Sequence, residues 1–278
     1  MSEVLALPFF RTAAIAALVL AGIHAYLGFH IVRRGVLFVD LALAQMAALG
    51  VALAVVLGFE DDPLRSYLLA LGMTFVGAAL FAWLRGRARQ VPLEAFIGIV
   101  FATAQALVFL VLEKSPAGPE HLRETLVGSL FTIEPAHLVA VSLLYLAIGI
   151  VHVLLRKPFF EITSDPQGAR ARGRRLFLWD FLFYATFGFV VTSSVQIAGV
   201  LLVFGFLVIP AVAGLMASSR TATALAVGWT FGFVASLLGL IGSVRWDFPA
   251  APAILVALTV LLLAFGVALS LGRRARTT

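Results

Sequence analysis

Nine stretches of mostly apolar residues, separated by short polar links, leave this chain few ways to fold. Their bounds fall roughly at 12–31, 36–57, 64–84, 92–112, 135–155, 176–192, 196–216, 221–241 and 252–271. A helix crosses a bilayer with about 20 such residues. Composition agrees: of 278 residues 62% are hydrophobic and only 12% charged, whereas a soluble domain carries about 25% charged residues. No polar link approaches the ~50 residues that a separate soluble domain requires. The expected fold is therefore all-α, a polytopic membrane helical bundle, with residues 1–278 forming one transmembrane domain. About nine transmembrane helices are expected. Eight is the alternative, because only the TSSVQ link at 192–196 separates the sixth stretch from the seventh.

The links carry most of the charge, and their signs set the orientation. Arg33, Arg34, Arg85, Arg87, Arg89, the six basic residues of 156–175, Arg220, Arg273, Arg274 and Arg276 fall on one side. Arg11, Arg65, Lys114, Arg123 and Arg245 fall on the other, with the acidic Glu60, Asp61, Asp62, Glu113, Glu120, Glu124 and Glu134. Basic residues beside a span resist translocation, so the N-terminus is expected outside and the C-terminus in the cytoplasm. The net charge of +6 is thus a topology signal and no footprint of nucleic acid. Cysteine is absent, which excludes disulfides, thiolate metal sites and cysteine nucleophiles. MSEVLALPFFR lacks a basic region before its apolar run, so the first span is expected to be retained. The 113–134 link begins as a Pro/Gly turn and continues as an amphipathic segment expected on the outer surface.

Polar residues inside the spans are costly enough to invite a functional question. Asp40 and Gln45 lie five residues apart on the second stretch, about 140° round a helix, and so on different faces. Glu94 and Gln105 on the fourth stretch share a face. All four are candidates for a path through the membrane. Each also has a structural alternative: Asp40 pairing with Arg33 or Arg34, Glu94 complementing a helix dipole after Val91-Pro92, and the glutamines bonding between helices. Small residues at Ala44, Ala47, Ala48, Gly50 and Ala52 would let backbones approach closely. Pro210 should kink the seventh stretch or end its first half. His24, His30 and His152 are dispersed, without a pair at metal-ligand spacing, so an intramembrane metalloprotease has no support. His121 and His137 with Glu120, Glu124 and Glu134 are either an outer metal-attracting patch or a solvated loop. No nucleophile–base constellation is present, and the chain is expected not to be an enzyme.

The loop RKPFFEITSDPQGARARGRR, 156–175, belongs in the cytoplasm by its charge. Within it, Asp165-Pro166 reads as an N-cap and first helical position. The short helix that follows carries Ala169 and Gly173 four apart. A small-residue face beside Arg170 and Arg172 at the inner membrane surface suits docking by another protein. No phosphate-binding Gly-x-x-x-x-Gly-Lys-Ser/Thr occurs, so any ATP must be bound by another chain.

Several stretches, RRGVLFVDLALAQMAALGVALA, LEAFIGIVFATAQALVF, LVGSLFTI, DPQGARARG and AGVLLVFGFLVIPAVAGLM, follow one another in an order and spacing that carry a resemblance. From about Gly28 to Met216 the chain resembles the permease subunits of bacterial zinc/manganese/iron-type ABC importers. The resemblance implies a permease homodimer in the bacterial inner membrane. Each permease would dock an ATP-binding subunit that holds ATP and Mg²⁺, and an extracytoplasmic binding protein would deliver a divalent metal ion. It also implies that the Ala169/Gly173 loop, with Arg170 and Arg172, is the coupling element. The family's second helix usually reads Gly-Asp-Ala-Leu-Ser-His-Ala; here its Gly, Asp and His positions hold Asp40, Leu41 and Gln45. A histidine of some members falls near Ala102. A metal site therefore does not carry over, and oxygen donors such as these suit a harder ion better than zinc. Two alternatives remain at this stage: a permease for a small non-metal solute, and an ATP-independent secondary transporter.

Overall fold

The computed structural model describes residues 7–59, 62–85, 91–113, 127–128 and 130–274. Most of the 113–134 link lies outside them, with Glu60, Asp61 and the Glu120, His121 and Glu124 members of the expected patch. Every regular element among the described residues is helical: α1 (Pro8–Arg34), α2 (Val39–Val56), α3 (Pro63–Arg85) and α4 (Leu93–Leu112) come first. A single 3₁₀ turn (Leu130–Thr132) precedes α5 (Pro135–Leu154), the short α6 (Arg156–Ser164) and α7 (Pro166–Ala171). The chain closes with α8 (Leu176–Ala217), α9 (Thr221–Trp246) and α10 (Ala250–Arg274). Eight of these are long and apolar enough to cross a membrane.

The difference between eight and nine lies in α8, which counts once among these eight. Its 42 residues would extend about 63 Å as one helix at 1.5 Å per residue, twice the ~30 Å hydrocarbon core. Gly199, at φ 71° and ψ 160°, breaks it into two arms, a conformation open essentially to glycine. The expected TSSVQ link stays helical instead. Its hydroxyls are satisfied within the helix, Ser193 Oγ donating to the Phe189 carbonyl at 2.8 Å and Ser194 Oγ to Val190 at 2.6 Å. Polarity alone therefore did not end the segment. Pro210 lies inside the second arm, and the non-helical backbone is at Gly199, well upstream of it.

The chain forms two compact units, residues 1–32, 127–142 and 197–278 in one, residues 33–126 and 143–196 in the other. In the second unit α2 is the most enclosed span and packs on α3 and α4. A Cβ on Gly50 would lie 2.4 Å from the Ala70 Cα, so α2 and α3 touch backbone to backbone there, as a small-residue stripe permits. Ala48, Leu49 and Ala52 of α2 close against Val108 and Leu112 of α4. In the first unit α9 packs along α10, and Gly28 of α1 meets the Leu207 carbonyl so closely that no side chain fits between them. Trp229 Nε1 donates to the Gly22 carbonyl at 2.9 Å.

Candidate functional site

The basic loop folds into α6 and α7, joined at Asp165. That carboxylate caps α7 by accepting the Gly168 N–H at 2.8 Å, with Pro166 in the first turn, as its sequence position requires. The other end is closed by two bonds: Gly173 N–H donates to Arg170 O and Arg174 N–H to Ala169 O, both at 3.0 Å. This is a Schellman stop, and it needs a left-handed residue; Gly173 supplies it at φ 83°.

The Ala169/Gly173 pair thus does not present a small-residue face. Ala169 is fully buried within the chain, while Gly173 is exposed as the helix terminator. What α7 and its C-cap show to solvent is Gln167, Arg170, Ala171 and Arg172. Glu161 of α6 fastens the loop, accepting from Arg172 Nε through one oxygen and from Arg174 Nε through the other at 3.1 Å. The Arg172 hydrogen bond, seconded by Arg174, holds the Glu161 carboxyl below the usual carboxylate range.

Beneath this loop, where α1, α3 and α8 end or begin, lies a buried ion cluster. Asp180 of α8 accepts from Arg34 Nη1 of α1 at 3.0 Å and from Arg85 Nη1 of α3. Arg34 Nε also donates to Thr163 Oγ1 of α6 at 3.0 Å, and its guanidinium lies 3.9 Å from the centre of the Phe183 ring. His152 of α5 completes the packing, stacked on Phe159 of α6 at 4.5 Å and hydrogen-bonded to Thr186 at 2.8 Å. Sequence reasoning counted Arg34 and Arg85 as topology charges, with Arg34 also offered to Asp40, and passed over Asp180. Its signal was nonetheless available, a lone carboxylate in the run LFLWDFLFYATF.

The four expected path residues occupy different settings. Asp40 is buried and its Oδ1 has no hydrogen-bond partner; Arg34, one of its two expected partners, is engaged with Asp180. Glu94 stands in the first turn of α4, yet its Oε1 accepts the Phe38 N–H at the start of α2 at 3.3 Å. It therefore serves a neighbouring helix, and its Oε2 is buried without a partner. Gln45 is buried and Gln105 half-buried. None of the four lines the cavity of about 250 Å³ in this unit. Its wall is mostly alanine, valine and leucine, Ala47, Ala52 and Val108 among them, with Ser66, Thr192 and Gln196 as its polar groups. Thr192 is anchored by Thr74, hydroxyl to hydroxyl, at 3.1 Å. Behind it Tyr145 meets the Ser193 and Ser194 hydroxyls. The polar run 192–196, expected as a link, thus becomes a cavity wall. No cluster of three or more metal-ligating side chains occurs among the described residues.

A model of the ABC 3 transport family matches residues 6–268. The manganese transport system membrane protein MntC of Halalkalibacterium halodurans is 24% identical over 264 residues, spanning 95% of this chain and 88% of that protein. The high-affinity zinc uptake system membrane protein ZnuB of Haemophilus influenzae is 26% identical over 253 residues, spanning 88% and 91%. In fold, the structure of PsaBC from Streptococcus pneumoniae in complex with Fab superposes with a TM-score of 0.80 at 20% identity, covering 95% of this chain and 93% of that one.

Proposed function

The chain belongs to the ABC 3 transport family, and from that premise we propose that it is the membrane-spanning permease of an ATP-driven importer carrying a divalent metal ion into the cytoplasm. The observation that carries this reading is the match over nearly the whole chain to membrane proteins named for manganese and zinc transport. The permease acts as one transmembrane domain in the bacterial inner membrane, paired with a second copy. An ATP-binding subunit docks beneath α6 and α7, where exposed Arg170 and Arg172 offer its contacts. It holds ATP and Mg²⁺, since this chain lacks a phosphate-binding loop. An extracytoplasmic binding protein delivers the ion.

The path runs along α2 and α4, with Gln45 and Gln105 at mid-depth and Asp40 and Glu94 nearer the cytoplasmic exit. Leu41 and Gln45 in place of an aspartate and a histidine leave only oxygen donors for the ion, hence weak contact and fast release. Selectivity then rests with the binding protein. The test is uptake by the reconstituted complex, with manganese, zinc and iron supplied in turn. ATP-dependent accumulation of one of them is expected, slowed by Gln45→Leu in a complex of unchanged assembly. Accumulation that ignores ATP would overturn the reading.

A further inference from the structure

The buried cluster at the cytoplasmic end is built unequally. One carboxylate, Asp180, faces two guanidinium groups, so the cluster holds one positive charge in excess. The Arg34 side chain is fully enclosed, and that of Arg85 is 16% exposed. Four groups face Arg34: Asp180, the Thr163 hydroxyl, the Phe183 ring and the Tyr184 hydroxyl. Even so, its Nη2 is buried without a hydrogen-bond partner among the described residues. An unmatched donor beside an unmatched charge is costly at low local dielectric.

Losing one arginine relieves this excess, and the geometry decides which. If Arg34 let go, a fully enclosed cation would stay behind unpaired, the least favourable outcome for a buried pair. If Arg85 let go, its partly exposed guanidinium would pass to water, and Asp180 with Arg34 would remain as a neutral pair. The same pin reaches the cytoplasmic loop, because Thr163 belongs to α6. Glu161 ties α6 through Arg172 and Arg174 to the chain entering α8, where the Arg174 guanidinium lies 5.9 Å from the Trp179 ring. A displacement of α6 and α7 thus acts directly on Arg34 and Asp180.

We propose that Asp180 is the pin of an unequal ion-pair joint that keeps Arg34 and releases Arg85, so that the cytoplasmic end of α3 parts from α8 during transport. Arg85 is a positioning residue, acting on the path only through the helix it fastens. The inference rests on the importer reading above but is tested separately from it.

The complex with its ATP-binding subunits is reconstituted, and ions moved per ATP hydrolysed are measured beside the melting temperature. Arg85→Gln is expected to assemble and melt near the parent temperature while the ion-to-ATP ratio falls several-fold; Arg85→Lys, which keeps the charge, restores most of it. Arg34→Gln is expected to melt well below the parent. An unchanged ratio in Arg85→Gln, or equal losses of stability in the two glutamine variants, overturns the joint. A second measurement does not depend on any of these variants folding. Spin labels at Leu84→Cys and Phe177→Cys, in a chain with no cysteine of its own, report the distance between the ends of α3 and α8. That distance should differ between the nucleotide-free and ATP-bound complex; an identical distance in both states sinks the proposal. Failure of the importer reading would show itself otherwise, as a parent complex that takes up no ion on adding ATP.

Discussion

Gly173 has no atom within 4 Å of where a Cβ would stand, yet its φ is 83°. A side chain there meets backbone strain and no clash. Gly173→Val should therefore cost about 1–2 kcal/mol, the penalty of the left-handed region, while Gly173→Asn, which tolerates that region, should cost far less. Melting of the detergent-solubilised protein measures both. If Asn and Val are equally damaging, side-chain volume at a docking face is what matters there, and the helix-stop role is secondary. Ala169 asks for the opposite substitution logic. Being enclosed, it answers to packing inside the chain, and enlarging it should loosen the loop before any partner is met.

At the scale of elements, Glu161 is the clasp of the α6–α7 pair, and its pH dependence has a definite sign. Its carboxyl is held below the ordinary glutamate value of 4.5 by Arg172 first and Arg174 after it. The clasp is then fully present above 4.5 and is lost only as pH falls through the lowered folded value. Hydrogen exchange at the Gly168 and Arg172 amides, corrected for intrinsic rate, should accelerate in that acid window. Glu161→Gln should show the faster exchange already at neutral pH. Between α2 and α3 the contact is backbone on backbone, so Gly50→Val forces the helices apart and should cost about 1–3 kcal/mol or more, as overpacking does; reduced melting temperature checks it. These two elements also mark what the sequence makes visible. The spans were legible because hydropathy over twenty residues is a local property, and Gly50 because small residues in a span have few other uses. The clasp and the ion joint were not, because each depends on which distant charges meet. Asp180 and Arg34 are separated by 146 positions, and nothing near either names the other. The break at Gly199 was missed for a related reason: hydroxyls at 193 and 194 look like a link until their bonds to the preceding turn are seen.

For the whole molecule, orientation is the property most directly checked. Because the chain has no cysteine, Leu57→Cys, exposed just past α2, should react with an impermeant reagent from outside. Ala171→Cys, exposed on α7, should react only from the cytoplasm. The reverse pattern would invert every helix and place the proposed docking loop where no ATP is found. The ion joint, finally, sets a timetable for synthesis. Arg34 leaves the ribosome 146 residues before Asp180, an interval of roughly 7–30 s at about 5–20 residues per second. Through that interval its guanidinium lacks the carboxylate it meets in the fold and can keep to the headgroup layer, its stem lying along the span. The nascent first helix can thus be held by lipid phosphates until α8 emerges, and this polar lock closes only after most of the unit's helices are already in the bilayer.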